Sequence, residues 1–239
     1  MEQNSPISLL VSSRELQRKN PGNLNIFLTN LKHSLYDVKN VEVIFKFDED
    51  DTLIEDQLYY AASNNPELSI KYFFSPRYGY LGLHKAYYEC IECLNSESYI
   101  IIPMADDFIF HKDSHWDKLL LDKTVGLTDK PFIVQDDTKI GKMHDVPIFS
   151  KKVVELVTLG NSLSVDGFLI ELCNIYLNLD LTEYIVTLPE FTSRTPCDYD
   201  FAHERWGIER GQLIQYLNSP EHADFLSETT NKIKNYFKI

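Results

Sequence analysis

The chain has 239 residues, and its 36 acidic against 23 basic side chains set a formal net charge of −13 at pH 7. Nucleic-acid binding draws its affinity from Lys and Arg that displace counterions, so this surplus of acid excludes a general DNA or RNA binder. Hydrophobic residues at 44% and aromatics at 13% exceed what a disordered acidic chain carries, which places the charge on a folded body whose length suits a single large α/β domain.

The first apolar run, Ile7 to Val11, is short and β-compatible, and it gives way to the polar Ser12-Ser13-Arg14, read as a loop. Asn20-Pro21 has the form of a helix start, and Leu24, Phe27, Leu28, Leu31 and Leu35 then recur at helical spacing. A second strand, Val41 to Phe47, runs into the acidic cluster Asp48-Glu49-Asp50-Asp51, and a helix carrying Ile54, Leu58 and Ala61 follows. Ile70, Tyr72 and Phe74 alternate in a third strand that ends at Ser75-Pro76-Arg77, and Leu83, Ala86, Tyr87, Cys90 and Leu94 return to helical spacing. The fourth strand, Tyr99 to Ile102, is an uninterrupted apolar run of the kind buried on both faces of a parallel sheet, and it is expected to stop at Pro103.

Strands separated by helices imply a parallel, three-layer arrangement with right-handed crossovers. Beyond residue 110 the pattern is less regular, and an α+β half is expected. It comprises a helix over Trp116–Leu121, a strand over Phe132–Gln135, a Gly141-Lys142 turn, a strand over Val146–Phe149, and a helix capped by Ser150 and closed by Gly160. A helix then starts near Ser164-Val165-Asp166, Tyr184–Leu188 reads as a strand, and a last helix begins at Ser219-Pro220. Lys232, Lys234 and Lys238 near the end read as a solvated helix face.

Several chemistries are excluded by absent motifs. Only 9 glycines are present, and neither G-x-G-x-x-G after a strand nor G-x-x-x-x-G-K-[ST] occurs, so any phosphate is gripped without a dinucleotide fingerprint or a P-loop. H-E-x-x-H and G-x-S-x-G are also missing, against a metalloprotease or a serine hydrolase. The opening MEQNSP is polar and no secretory signal is expected, so the scattered Cys90, Cys93, Cys173 and Cys197 suit a soluble protein of the reducing cytoplasm. Cys90 and Cys93 fall on a predicted helix with no second pair at zinc-ribbon spacing, which favours core thiols over a metal. No apolar run reaches the roughly 20 residues that span a bilayer, so no transmembrane segment is expected.

In open α/β sheets ligands lie beyond the carboxyl ends of the strands, and those ends here carry Ser12 and Arg14, Asp48, Arg77, and Asp106 with Asp107. Two adjacent carboxylates at such a mouth repel one another unless a cation or donors sit between them, so Asp106-Asp107 points either to a divalent metal or to a solvated turn or helix cap.

This ordered set, the Ser/Arg loop after strand 1, Val-Ile-Phe-Lys-Phe-Asp48-Glu-Asp50-Asp51, Arg77-Tyr-Gly79 with Lys85-Ala86, and Ala105-Asp106-Asp107, resembles nucleotide-sugar glycosyltransferases of the GT-A fold, close to the family 2 type, over about residues 5–170. The resemblance implies an α/β fold, a Rossmann-like, mostly parallel sheet flanked by helices, with an α+β acceptor-side half. It divides one domain into a nucleotide-binding half (1–110), an acceptor-binding half (111–218) and a C-terminal helix (219–239). By it, Asp48 bonds the nucleobase, Ser12 and Arg14 line the nucleotide pocket, Arg77 approaches the base or diphosphate, and Lys85 belongs to the same donor-binding segment. Asp106 contacts the ribose or the metal, and Asp107 ligates Mn²⁺ or Mg²⁺.

Asp166 matches the position of the catalytic base in inverting members, a role a carboxylate can fill by taking the acceptor hydroxyl's proton, although it equally suits a helix cap. Gly141 sits where the fold carries an acceptor loop, or is a plain turn glycine. His203 lies where many such enzymes supply a late metal ligand, with His144 and His111 as competitors. Tyr78 and Tyr80, ahead of Trp116 and Trp206, are the candidates for stacking on a base or sugar. The acidic stretch lacks the Gly-Ser of an Asp-Asp-Gly-Ser motif, and Ser-Ser-Arg replaces a Pro-Thr-Tyr-Asn type of loop.

The expected activity is transfer of a sugar from a UDP, GDP or dTDP donor to a glycan or other hydroxyl acceptor. The alternatives are a nucleotidyltransferase, against which the loop after strand 1 lacks the usual glycines, and a non-catalytic module of the same fold.

Overall fold

The chain opens with β1 (Ile7–Ser13), α1 (Asn23–Ser34), β2 (Val41–Asp48), α2 (Ile54–Asn64), β3 (Ser69–Ser75), α3 (Leu83–Glu92) and β4 (Ile100–Ala105), the strand and helix alternation that the periodicity implies. The computed structural model describes residues 5–13, 23–78, 82–137, 144, 146–159, 165–194, 211, 212 and 214–239, with the backbone alone at Asp166 and Arg194. The second half adds β5 (Phe108–Phe110), α4 (Trp116–Thr124), β6 (Ile133–Asp136), β7 (Phe149–Ser150), α5 (Lys151–Leu156), α6 (Val165–Asn178), β8 (Ile185–Leu188), β9 (Thr192–Arg194) and α7 (Pro220–Phe237). Gly141, and the Gly160 expected to close the helix after Ser150, lie outside the described residues.

A seven-stranded sheet runs in the order β3-β2-β1-β4-β7-β6-β8. β1 is parallel to both β2 and β4, β2 to β3, and β6 to β8, while β7 runs antiparallel to β4 and β6. Because strand side chains alternate between faces, β1 divides Leu9 and Val11 from Leu10, and β2 divides Val43 and Phe45 from Ile44. The first set packs beneath α1, α2 and α4 with Phe27, Leu28, Leu58 and Trp116; the second packs beneath α3, α6 and α7 with Tyr87, Cys90, Leu169 and Ile233. Each such side chain contributes about 1.5–3 kcal/mol on burial, so the sheet is held from both sides. Cys90 lies in this apolar layer, where burial pushes its thiol up from the ordinary range.

Several boundaries differ from the sequence-based expectation, each for a tertiary reason. Ser12 and Ser13 belong to β1, because both have parallel partners in Lys46 and Phe47. β4 continues through Pro103 to Ala105: pairing with β7 stops at Ile101, so the proline lies where one side of the strand has no ladder to complete. Tyr72 and Phe74 stay 56% and 36% exposed because β3 is the edge strand. Ser150 caps nothing through its side chain; its Oγ instead accepts the Phe132 backbone N–H, tying β7 to the start of β6. The antiparallel pair β5 and β9 has only 3 residues in each strand, too few for alternation to register in a sequence.

At the amino end of the sheet the buried Glu42 accepts from Ser8 Oγ (2.5 Å) and the Asn95 backbone N–H (3.2 Å) and pairs with Lys71 Nζ (3.0 Å). Those bonds join β1, β2, β3 and the segment entering β4. Glu42→Ala removes the carboxylate that the buried Ser8 hydroxyl and Asn95 backbone N–H share, and urea denaturation should show a loss of about 3 kcal/mol. A cost below about 1 kcal/mol would show that the cluster is dispensable.

Candidate functional site at the carboxyl edge of the sheet

The parallel registers bring four strand ends level. Ser12 lies opposite Ala105, Ser13 opposite Phe47, and Asp48 opposite Ser75, so β1 to β4 finish within about one residue of one another. The chain leaves each strand here, and α1 and α3 begin beside the same edge with the amide-rich termini that favour anions. Asp48, Arg77, Asp106 and Asp107, read from the sequence as one group, therefore lie along one edge.

Asp106 follows β4 and is buried. Its Oδ2 accepts a 2.5 Å hydrogen bond from Ser13 Oγ, and its backbone oxygen accepts from Asn23 Nδ2, the first residue of α1, at 3.1 Å. The hydroxyl tied to this carboxylate is thus that of Ser13, while Ser12 occupies the next position of the strand and so the opposite face. Asp107 is half-buried one residue further on, where the chain turns from β4 into β5.

Across β1 lies a second polar group. Asp48 is 8% exposed, and its Oδ1 accepts from Lys46 Nζ at 2.5 Å, while Arg77 Nε stands 3.9 Å from its Oδ2. Lys46 also donates to the Pro76 carbonyl (2.8 Å) and lies 5.1 Å from the centre of the Tyr78 ring. Lys85, exposed in the first turn of α3, is 6.0 Å from the same ring. Glu89, one helical turn on, accepts from Ser75 Oγ (2.6 Å) and Tyr78 Oη (2.5 Å). A β-carbon placed on Gly82 would come 2.7 Å from that of Tyr78, so glycine at the start of α3 lets the tyrosine lie against the helix.

Arg14, Tyr80 and His203, together with Trp206 and Cys197, lie outside the described residues. Asp166 is the second residue of α6, within its first turn. Of the competing histidines, His111 is exposed in the turn after β5, whereas His144 is buried against Phe191 with Nδ1 3.4 Å from Glu190. Trp116 is buried and stacked on Phe191 and Phe110, which makes it a core residue and no sugar platform. Sequence reading passed over Ser13, Asn23, Lys46 and Glu89. A lysine inside the apolar Val-Ile-Phe-Lys-Phe run was the available signal for Lys46, and strand alternation was the signal for Ser13.

Asp107 and Asp106 supply hard oxygen donors of the kind Mn²⁺ and Mg²⁺ take. Among the described residues no group of three or more His, Cys, Asp or Glu is placed to enclose an ion.

Tyr78 offers a direct check on the β3 to α3 connection. The bond to Glu89 is the largest cause, ahead of burial and the carboxylate's charge, holding the phenol above its usual value. A raised phenol stabilises the fold below its unfolded value of about 10 and loses that contribution as pH climbs through the folded value. In Glu89→Gln the Tyr78 phenolate, isolated by subtracting the spectrum of Tyr78→Phe, should appear at lower pH than in the wild type. An unchanged midpoint would break the assignment.

No protein-family model and no curated protein sequence matches the chain. Solved structures do. A mannosyltransferase, PcManGT from Pyrobaculum calidifontis in complex with GDP-Man and Mn²⁺, superposes with a TM-score of 0.60 at 13% identity, over 95% of this chain and 69% of that one. S. aureus TarS 1-349 superposes with a TM-score of 0.54 at 12% identity, over 96% and 72% respectively. The same fragment in complex with UDP gives 0.54 at 11% identity, over 98% and 72%. Among the described residues no helix is long and apolar enough to cross a membrane. Strand order, the antiparallel β7 and nearly complete superposition on these glycosyltransferases together give this chain the GT-A fold.

Proposed function

We propose that the protein is a divalent-metal-dependent glycosyltransferase that moves a sugar from a nucleoside diphosphate to a hydroxyl acceptor, with inversion. The observation that carries this reading is the convergence of Ser13 with Asp106, Asp107, Asp48 and Arg77 on one edge of a GT-A sheet. The fold supports the same class, since neighbours sharing it bind GDP-Man with Mn²⁺ or UDP.

In this reading residues 1–110 hold the donor. Asp48 accepts from the nucleobase, Arg77 and Lys85 bring positive charge toward the base and diphosphate, and Ser12 and Arg14 line the pocket. The bond from Ser13 orients Asp106 toward the ribose side. Asp107, aided by Asp106 or His203, would hold Mn²⁺ or Mg²⁺, which when bound neutralises charge on the departing diphosphate. Residues 111–218 receive the acceptor, and 219–239 form the C-terminal helix that braces α6.

Asp166 acts as general base. The acceptor oxygen attacks the anomeric carbon, its proton passes to the Asp166 carboxylate, and the bond from that carbon to the diphosphate oxygen breaks with its electron pair leaving on the diphosphate. One displacement inverts the anomeric centre, and the acidic surface is no obstacle because a divalent cation held by Asp107 would offset the repulsion between carboxylates and phosphates.

Calorimetry with UDP, GDP and dTDP, with and without Mn²⁺, tests donor binding. Asp107→Ala should abolish the metal-dependent part of nucleotide affinity. Asp166→Asn should leave that affinity unchanged and lower transfer by about 10²–10⁴-fold, the range for loss of a general base. Transfer at the wild-type rate by Asp166→Asn would remove Asp166 from this role, and no metal-dependent binding of any nucleotide would favour a non-catalytic module.

A further inference from the structure

We propose that Lys46 is a positioning residue for nucleotide recognition, a role that rests on the donor-binding reading of this edge. Lysine is almost never fully buried unless paired, yet Lys46 is 1% exposed within β2, between Phe45 and Phe47 of the core. Its ammonium has a distinct contact for each direction it can serve: Asp48 Oδ1 at 2.5 Å, the Pro76 carbonyl at 2.8 Å, and the face of Tyr78 at 5.1 Å. One cation thereby joins the end of β2 to the segment leaving β3.

The charge balance gives the arrangement its purpose. Asp48 begins the run Asp48-Glu49-Asp50-Asp51, in which Asp48 and Asp51 are both buried. A carboxylate among like charges tends to turn toward water, and Lys46 opposes this by holding Asp48 Oδ1 in a fixed orientation at 2.5 Å. The other half of the clamp is rigid as well, since Tyr78 is bonded to Glu89 and lies against Gly82. A base acceptor and the Arg77 segment that are already ordered bind without the entropic cost of ordering them at the encounter. Lys46 touches neither the sugar nor the acceptor in this account, so its loss acts on donor affinity and leaves the transfer step alone.

The test compares wild type, Lys46→Met, Lys46→Arg and Asp48→Asn in calorimetry with UDP, GDP and dTDP in Mn²⁺, together with donor hydrolysis and thermal unfolding. Lys46→Met, which keeps the apolar stem, should weaken the bound nucleotide by about tenfold or more. It should raise KM for donor hydrolysis with kcat nearly unchanged, and Lys46→Arg should recover part of the affinity. In the Asp48→Asn background Lys46→Met should cost less affinity than in the wild type, because part of its effect passes through Asp48. Wild-type nucleotide affinity in folded Lys46→Met, with only its unfolding temperature lowered, would overturn the inference and leave Lys46 a structural residue. Should Lys46→Met fail to fold, Lys46→Arg and the Asp48→Asn cycle with Lys46→Gln decide by the same affinity criterion. A wild-type protein that binds none of the nucleotides removes the donor-binding reading itself, a result distinct from failure of the Lys46 variants alone.

Discussion

Parallel registration of β1, β2, β3 and β4 is the constraint from which the site follows. Parallel neighbours need a crossover across the sheet, so each strand end is also the place where the chain turns back toward a helix. With Ser13 opposite Phe47 and Asp48 opposite Ser75, those exits share one level. Residues separated by as many as 93 positions, Ser13 and Asp106, thereby come within hydrogen-bond reach. A shift of one residue in any register would turn a site side chain to the opposite face of the sheet, and the two-sided core forbids that shift by burying alternate residues on each face.

The two ends of the sheet use buried charge differently. At the amino end Glu42 is enclosed and its partners come from β1, β3 and the segment before β4, so the carboxylate is consumed in joining strands. Among the described residues the carboxyl end gathers Asp48, Glu49, Asp50, Asp51, Asp106 and Asp107 with Lys46, Arg77 and Lys85. Repulsion among such carboxylates weakens a fold unless it is held by specific donors. Ser13 serves Asp106 and Lys46 serves Asp48.

Helices α3 and α6 relate the site to the core. Cys90 and Tyr87 fix α3 on the sheet, and the same helix turns Glu89 and Gly82 toward Tyr78. α6 buries Phe168, Leu169 and Leu172 and carries Asp166 in its first turn. α7 leans on α6 through His222, whose Nε2 lies 2.7 Å from Glu171, so the C-terminal helix braces the element that bears the proposed base.

Much of this was legible in the linear pattern. Apolar runs and helical spacing located β1 through β4 and their crossovers, and the acids standing where those runs stop identified the carboxyl edge, because hydrophobic periodicity and strand termination are local properties of the chain. Other features were invisible for a physical reason. The 3-residue strands β5 and β9 exist only because they pair with each other, and β4 tolerates Pro103 only because β7 ends early beside it. The choice between Ser12 and Ser13 depended on which face of β1 met Asp106. Lys46 is the clearest instance: composition allows a lysine to be a solvated charge, and what makes it a buried tie is the Pro76 carbonyl, 30 positions along the chain, which reaches it only when β3 lies beside β2.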